Sequence, residues 1–195
     1  MYILGLNGSP NQNGGTAFLI NRILESCANN GGLTITELIN VPQAVASAKT
    51  PFCTVCGNPC KKVCYSGTLL EEVFEKMAKA DALVIGSPVY FGLPSAQLKV
   101  FFDKTRVLRS EKRLIGKPCG FVSIGASRFG GQETTIKAMQ TMALVQGMTV
   151  VGSGHADYDA GHHGVCAVRD VFDDFTLSRC DSMAMRINEE LGIRN

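Results

Sequence analysis

The feature that most constrains the fold of this chain is a regular alternation of short apolar runs with longer segments of helical periodicity. Runs with the length and composition of β-strands recur at residues 2–4, 33–39, 82–85, 118–124 and 148–151. Helical patterns run from Thr16 to Gly31-Gly32 and over residues 68–78, 96–108, 132–146 and 170–191. Such alternation predicts a doubly wound α/β fold built on a parallel sheet. At roughly 150 residues per domain, the 195 residues fit one domain spanning 1–195.

Two stretches interrupt this alternation between the second strand and the second helix. Residues 40–50 have no period and are predicted to form a loop, and residues 50–67 form a cysteine-rich insertion. Thr68 is predicted to cap the helix that follows, with Glu71 at the position that completes a capping box.

The first strand runs into a loop rich in hydrogen-bonding groups, followed directly by a helix. Ser9 and Thr16 bring hydroxyls, and Asn11 and Asn13 bring amides. Free N–H groups and the positive end of a helix dipole at one spot favour an anion. The loop has neither Gly-Lys-Ser/Thr nor Gly-x-Gly-x-x-Gly, so a phosphate monoester suits it better than a nucleoside triphosphate or a dinucleotide. The alternative is an ordinary capped turn.

Three loops at one predicted sheet edge share an unusual composition. Residues 8–16, 87–92 and 125–133 follow strands one, three and four and are rich in Gly, Ser, Pro and aromatic residues. Since ligands of such sheets bind beyond the carboxyl ends of the strands, the three loops predict one shared ligand.

The residues of these loops resemble those of the flavodoxin-like NAD(P)H-dependent FMN reductase family. The matching segments are Gly8-Ser-Pro-Asn-Gln-Asn-Gly-Gly-Thr-Ala17, Gly86-Ser-Pro-Val-Tyr-Phe-Gly92 and Gly130-Gly-Gln-Glu-Thr-Thr135. The resemblance covers nearly the whole chain in order. It implies a flavodoxin-like five-stranded parallel sheet of order 2-1-3-4-5 with helices on both faces, and it implies bound FMN.

The resemblance also implies which residues hold the flavin. The FMN phosphate would be bound by the first loop, at Ser9, Asn11, Asn13, Gly15, Thr16 and Ala17. The isoalloxazine would be edged by the second loop, at Pro88, Val89, Tyr90, Phe91 and Gly92. The other side of the flavin would be covered by the third loop, at Gly125, Ala126, Ser127, Arg128, Gly131 and Gln132.

Elementary chemistry leaves alternatives for three of these side chains. The Tyr90 and Phe91 rings can form the flat apolar slot that a flavin needs, or one of them can pack in the core. Arg128 can place a charge near the reduced flavin or near a nicotinamide phosphate, or it can be a solvated loop residue. Hydride transfer requires no proton-transferring side chain, so no catalytic acid or base is assigned.

Four of the eight cysteines lie within twelve residues, at Cys53, Cys56, Cys60 and Cys64. A single compact run is typical of an iron–sulfur cluster, whereas zinc sites usually pair two separated Cys-x-x-Cys knuckles. This placement resembles the iron–sulfur flavoproteins, which implies a [4Fe–4S] cluster. Those proteins usually have two residues between the second and third cysteine, but here three residues separate Cys56 from Cys60. A redox or structural thiol set and a zinc site remain the alternatives.

The remaining four cysteines lie in helix, strand or loop patterns. Buried hydrophobic positions are expected for Cys27, Cys119, Cys166 and Cys180.

The net charge of +2, without a basic run among aromatics, disfavours nucleic-acid binding. The absence of an apolar run of about 18 residues predicts no membrane span, and hence a cytoplasmic protein with reduced thiols.

The favoured interpretation is an FMN oxidoreductase that couples the flavin to a [4Fe–4S] cluster. Its redox partner would be ferredoxin or a small molecule, with NAD(P)H as another possible donor. One alternative is an NAD(P)H-dependent FMN or quinone reductase without a cluster, and another is a non-catalytic flavodoxin-like electron carrier. The family resemblance also implies a homodimer or homotetramer.

Overall fold

The computed structural model describes residues 1–30 and 33–193, and the predicted end of the first helix at Gly31-Gly32 lies outside them. Six strands occur in this part of the chain: β1 (Tyr2–Asn7), β2 (Ile35–Asn40), β3 (Ala82–Pro88), β4 (Pro118–Gly125), β5 (Thr149–Val150) and β6 (Val165–Val168). Seven helices accompany them: α1 (Gly15–Asn30), α2 (Val41–Ala46), α3 (Leu69–Lys79), α4 (Ala96–Lys104), α5 (Arg106–Ser110), α6 (Gln132–Val145) and α7 (Asp174–Glu190).

The strands form one parallel sheet of order β2-β1-β3-β4-β5, which confirms the predicted flavodoxin-like fold. The fifth position of the sheet is shared by two short strands. β5 pairs with the start of β4 at Pro118 and Cys119, and β6 pairs with its end from Val122 to Gly125. The sequence prediction contained β5 and missed β6, because residues 152–164 separate the two halves of this position.

The sheet is covered on both faces because the strand side chains alternate between them. On one face, Leu4 and Leu6 pack into a core with residues of α2 to α6. On the other, Ile3 joins a core made with α1 and α7. The helices therefore leave only the strand ends free for loops. None of the helices in residues 1–30 and 33–193 is long and apolar enough to cross a membrane.

The prediction of a loop over residues 40–50 was wrong, because α2 occupies most of it. Val41 and Ala44 are fully buried by this short helix, and Pro42 in its first turn is compatible with helix initiation. Only two residues of α2 are buried, which is too few to produce a helical periodicity that could be recognised in the sequence.

Three helix predictions also differ from the structure, and the first is the helix predicted over 170–191, which begins at Asp174 as α7. The capping box at Thr68 was wrong: the Thr68 hydroxyl donates to the Tyr65 carbonyl, and Glu71 accepts from the Gly67 N–H at 2.8 Å. The single helix predicted over 96–108 is divided at Thr105 into α4 and α5.

Candidate functional site

The topology brings the three predicted loops together at the carboxyl edge of the sheet. The Gly8 N–H donates to the Gly86 carbonyl at 2.8 Å, which joins the ends of β1 and β3. The Val89 N–H donates to the Ile124 carbonyl at 2.8 Å, which joins the second loop to the end of β4. The edge is therefore fixed by main-chain hydrogen bonds before any ligand is considered.

The first loop is folded around its own polar side chains. Ser9 Oγ accepts from the Asn11 N–H at 3.1 Å, and Asn11 Oδ1 accepts from the Asn13 N–H at 3.3 Å. The Asn11 carboxamide oxygen and the Ser9 oxygen thus shape the loop, although the sequence had suggested them chiefly as ligand donors. Such local turns are typical of Asn and Ser.

The free donors of this loop are main-chain groups at the start of α1. The N–H groups of Gly15, Thr16 and Ala17 have no hydrogen-bond acceptor in residues 1–30 and 33–193. Thr16 is nearly fully buried, and its hydroxyl likewise makes no hydrogen bond within the described chain. The orphan donors and the helix dipole point outward from one helix turn, which is the arrangement that binds an anion.

A buried serine that sequence reasoning missed ties the first loop to the second. Ser95 is fully buried; its hydroxyl donates to the Gly8 carbonyl at 2.6 Å and accepts from the Leu98 N–H at 3.2 Å. Its own N–H donates to Ser87 Oγ at 2.9 Å. A serine directly before a helical pattern is the N-cap signal that points to this residue.

The second loop turns sharply at its two exposed aromatic residues. Tyr90 and Leu93 exchange main-chain hydrogen bonds of 2.9 and 3.1 Å across Phe91 and Gly92, which have φ of 52° and 78°. Tyr90 is 48% exposed and Phe91 is fully exposed. Neither ring packs in the core, so both remain available to a ligand or a partner surface.

The third loop is held from inside by Gln132. Its Nε2 donates to the Ser127 carbonyl at 2.7 Å and to the Ala167 carbonyl at 3.3 Å, which ties the loop to β6. Gly131 has φ of 94°, and a Cβ there would lie 3.1 Å from the Gly92 Cα. The second and third loops are therefore in contact, while Ala126, Ser127 and Arg128 are exposed.

A segment after β6, which the sequence prediction had placed in the final helix, completes the edge ahead of α7. The Phe172 ring stacks on Phe18 of α1 with centroids 5.0 Å apart, and a Cβ on Gly15 would lie 2.6 Å from it. A hydrogen bond from the Thr176 N–H, with a smaller effect from the charge of Arg128, lowers the pKa of Asp173.

The cysteine segment, residues 51–67, lies beside α4, α5 and the end of α6. The Lys104 ammonium, which is buried, donates to the Thr50 carbonyl at 2.9 Å. Cys53 lines a groove of about 340 Å³ together with Arg106 and Gln146. The Lys49 N–H donates to the Cys64 carbonyl at 2.8 Å and closes the base of the segment.

The four thiols of the segment are free and differ in environment. Cys56 is exposed, Cys53 is half-buried, and Cys60 and Cys64 pack against the core. Burial, and then the nearby Cys60 and Cys64, raise the pKa of the Tyr65 hydroxyl well above its ordinary range. Among the described residues, no three His, Cys, Asp or Glu side chains converge closely enough to hold a metal ion.

The other four cysteines follow the expectation of buried hydrophobic positions with one exception. Cys27, Cys119 and Cys180 are fully buried, and burial raises the pKa of Cys27 and Cys180 to about 12. Cys166 on β6 is partly exposed, although burial raises its pKa to about 12 as well.

Comparison with a solved structure identifies the class to which this fold belongs. A flavodoxin of the WrbA-like type from Agrobacterium tumefaciens superposes with a TM-score of 0.68, covering 99% of each chain at 16% identity. The fold is therefore flavodoxin-like.

Sequence comparison then gives the family. The family model described as NADPH-dependent FMN reductase matches residues 1–162, and the chain belongs to that family. An iron-sulfur flavoprotein of Methanocaldococcus jannaschii is 39% identical over 167 residues, which are 85% of this chain and 83% of the relative. An NAD(P)H dehydrogenase (quinone) of Chromohalobacter salexigens is 45% identical over 76 residues, which are 39% of this chain and 38% of the relative. The chain is a flavin-dependent oxidoreductase.

Proposed function

We propose that this chain binds FMN at the carboxyl edge of its sheet and uses it to transfer electrons between a donor and a second redox group. The observation that carries the proposal is the set of unpaired N–H groups at Gly15, Thr16 and Ala17 beside loops whose main chain is already fixed. When bound, FMN supplies redox chemistry in steps of one or two electrons.

The first loop binds the phosphate through main-chain donors and hydroxyls. The N–H groups of Gly15, Thr16 and Ala17 hydrogen-bond the phosphate oxygens, and the positive end of the α1 dipole adds to the attraction. The Ser9 and Thr16 hydroxyls donate from inside the loop. The side-chain Nδ2 groups of Asn11 and Asn13 are not used by these turns, so they also donate to the phosphate.

The second and third loops hold the ring system. Main-chain groups from Pro88 to Gly92 edge the isoalloxazine, and the exposed Tyr90 ring lies beside it. The third loop, from Gly125 to Gln132, covers the opposite side and is kept in place by the Gln132 side chain. Arg128 supplies a positive charge that favours the anionic reduced ring or a phosphate of the donor.

The cysteine segment is proposed to bind a [4Fe–4S] cluster through Cys53, Cys56, Cys60 and Cys64. The donor set has the right chemistry, because such clusters take four thiolates from one short run. Tyr65, which follows Cys64 in sequence, has a buried hydroxyl without a hydrogen-bond partner among the described residues, and Cys60 and Cys64 pack against the core cluster that contains Tyr65. The cluster, when bound, supplies one-electron transfer, and the thiols must draw together to hold it.

The similarity to an NAD(P)H dehydrogenase (quinone) favours a second candidate, an FMN or quinone reductase that works without a cluster. In either case NAD(P)H or ferredoxin is the proposed donor, and a small molecule such as a quinone is a proposed acceptor. A non-catalytic electron carrier would exchange electrons once with a reduced donor and would not turn over.

We also propose that the chain assembles as a homodimer or homotetramer. Phe91 and Phe129 are fully exposed at the carboxyl edge, and exposed aromatic rings on adjacent loops suit a covered surface. Sedimentation velocity tests this, and a monomer at micromolar concentration would contradict it.

One anaerobic preparation tests the two redox groups together. We expect flavin absorption bands, a broad overlapping absorbance from the cluster, and about four acid-labile iron and sulfide per chain. Flavin bands without iron and sulfide favour the cluster-free reductase. An absence of FMN after reconstitution with excess FMN would overturn the proposal for the carboxyl edge.

A further inference from the structure

Two adjoining cavities, together called the arginine groove, lie between the cysteine segment and α5. One has a volume of about 340 Å³ and the other of about 370 Å³. Both are lined by the same four residues of α5 and the end of α6, namely Arg106, Arg109, Val145 and Gln146. Because α5 and α6 lead to the starts of β4 and β5, the groove lies towards the amino edge of the sheet. It is therefore separate from the loops that are proposed to hold FMN.

The two arginines of the groove have guanidinium groups that the protein leaves largely unused. They are three residues apart on α5, so they share one face of the helix. The Arg109 Nε–H donates to the Val145 carbonyl at 2.9 Å, and its two Nη groups meet no acceptor in residues 1–30 and 33–193. Arg106 is half-buried, and no described residue forms a hydrogen bond or ion pair with its guanidinium. A partly buried charge without a partner is costly, and an anion in the groove would offset that cost.

The groove has an excess of positive charge. Among the described residues that line the two cavities, the single carboxylate is that of Asp103, which accepts from Lys99 Nζ at 2.6 Å. Planar guanidinium groups bind carboxylates and phosphates through pairs of parallel hydrogen bonds. The charged part of a ligand in this groove is therefore expected to be one of these two anions.

The remaining walls of the groove are largely apolar and exposed. Val55, Ile115, Leu144 and Val145 line the cavities and are 63%, 60%, 60% and 56% exposed. Exposed apolar side chains that gather at one concave site are typical of binding surfaces, and small-molecule sites have volumes of about 300–1,000 Å³. The apolar walls thus suit the hydrocarbon body of a small ligand whose anionic group lies at the arginines.

We infer that the arginine groove binds a small organic anion, whose carboxylate or phosphate pairs with Arg106 and Arg109 and whose apolar body covers Val55 and Val145. This site is additional to the proposed flavin site and does not depend on it. Arg109 is held ready by its bond to the Val145 carbonyl, so little side-chain entropy is lost when the anion binds.

The ligand also holds the cysteine segment against the core. Cys53, Val55 and Asn58 form the wall that faces α5 and α6. No hydrogen bond between two main-chain groups fixes residues 51–61 in the described part of the chain. A molecule that contacts both walls therefore favours the arrangement in which the segment lies on α5.

Isothermal titration of the full chain with benzoate, phenyl phosphate and benzyl alcohol tests the inference, because the three probes share a ring and differ in the head group. Free FMN is left out, since it is itself an organic anion. We expect at least one of the two anions to bind with a Kd of roughly 1 mM, and benzyl alcohol to bind at least about tenfold more weakly. Equal affinity for all three probes, or no binding of either anion at about 10 mM, would overturn the inference.

A pair of charge-matched double variants locates the binding. Arg106→Gln with Arg109→Gln removes both guanidinium groups. Lys79→Gln with Lys137→Gln removes the same charge from exposed positions of α3 and α6 that line neither cavity. We expect anion affinity to fall about tenfold or more in the first pair and to stay at the wild-type level in the second. An equal loss in both pairs, or no loss in the first, would overturn the inference.

Arg106→Gln alone decides if the arginine pair does not fold, because the Arg106 guanidinium makes no hydrogen bond that the fold needs. It should lower anion affinity at least about threefold, and an unchanged affinity would overturn the inference. Any anion that binds at the start of α1 contributes equally to wild type and to every variant. Failure of the FMN proposal would therefore leave this comparison intact.

Tryptic cleavage after Lys61 and Lys62 measures the effect on the cysteine segment. The anion that binds should slow cleavage at these two sites at least about twofold at saturation, because a protease cuts the segment when it lies away from α5. The arginine pair variant should show no such slowing. Unchanged cleavage in wild type, or equal slowing in the arginine variant, would overturn the link between the groove and the segment.

Discussion

The carboxyl-edge loops and the cysteine segment differ in how far the protein alone has built them. The loops are joined by main-chain hydrogen bonds between Gly8 and Gly86, between Val89 and Ile124 and between Arg169 and Gly125. By contrast, no hydrogen bond between two main-chain groups involves residues 51–61 in the part of the chain that the structure describes. Main-chain hydrogen bonds thus fix the carboxyl-edge loops, whereas residues 51–61 lack such bonds, so a ligand would find the first region already formed and would have to order the second.

The largest effect is expected from breaking the cysteine segment alone. Cys60→Ala should abolish iron and sulfide binding, because three thiolates leave one corner of the cluster without a protein ligand. FMN content should stay at the wild-type level, since the carboxyl edge does not use this thiol. Metal analysis and the flavin spectrum of one anaerobic preparation measure both.

Cys166→Ala is the matched control, because Cys166 is also partly exposed but lies on β6. It should keep the cluster. Iron at the wild-type level in Cys60→Ala would contradict the role of Cys60 as a ligand. Wild-type protein without iron, with turnover unchanged in Cys60→Ala, would instead favour the reductase without a cluster.

The next effect tests how tightly the carboxyl edge is preformed. Gly131→Ala adds a Cβ that would lie 3.1 Å from the Gly92 Cα, so the second and third loops must separate. We expect FMN affinity to fall about tenfold or more, which corresponds to about 1.4 kcal/mol. Isothermal titration of the apoprotein with FMN measures it.

Gly116→Ala provides the control for backbone strain. Gly116 has a φ of 76°, also left-handed, but a Cβ there meets nothing within 4 Å. Both variants lose about 1 kcal/mol of stability to the left-handed backbone. Equal FMN affinities in the two variants would show that contact between the loops does not matter for the flavin.

A smaller effect is expected from the buried link between the first two loops. Ser95→Ala removes the donor to the Gly8 carbonyl and the N-cap acceptor of α4. We expect a loss of about 2 kcal/mol in the free energy of unfolding, measured by urea denaturation. Ser110→Ala, which removes one hydroxyl bond to the Val107 carbonyl at an exposed site, should change it by less than about 0.5 kcal/mol.

The smallest effect is expected from a change in the segment between β5 and β6. This segment is held to α7 by the ion pair between Asp159 and Arg179. The hydrogen bonds from Arg179 lower the pKa of Asp159 to about 2. A lowered pKa in the folded state stabilises the protein above the ordinary value of about 3.9, and this stability is lost as pH falls towards about 2. The Asp159→Asn variant lacks this contribution to stability at every pH.

The urea midpoints of Asp159→Asn and wild type should therefore differ most above pH of about 4 and converge towards pH of about 2. A difference that is constant across that range would contradict the role of the Asp159–Arg179 pair.

Much of the fold could be predicted because each strand carries its own burial pattern. The runs that became β1, β3 and β4 are continuous and apolar, as strands covered on both faces must be. The pattern failed for α2 and β6, which are six and four residues long, shorter than a recognisable period. In β6 the pairing with the end of β4 decides the structure, and that partner is some forty residues away in sequence.

The candidate site was likewise predicted only in part. The sequence identified the three loops, since Gly, Pro, Ser and aromatic residues after strands are a local signal. It did not reveal Ser95 as the link between two loops or Phe172 beside Gly15, because both act on residues far away in the chain.

The sequence by itself determined the alternation of strands and helices, the three loops at one edge and the four thiols in one short run, because each follows from residue types at close spacing. Only the tertiary structure decided that the main chain of Gly15 to Ala17 is left with free donors and that the Tyr90 and Phe91 rings face outward. It also decided that the Tyr65 hydroxyl is buried without a partner. These properties depend on which distant atoms pack around a group, and burial of that kind is a property of the folded chain as a whole.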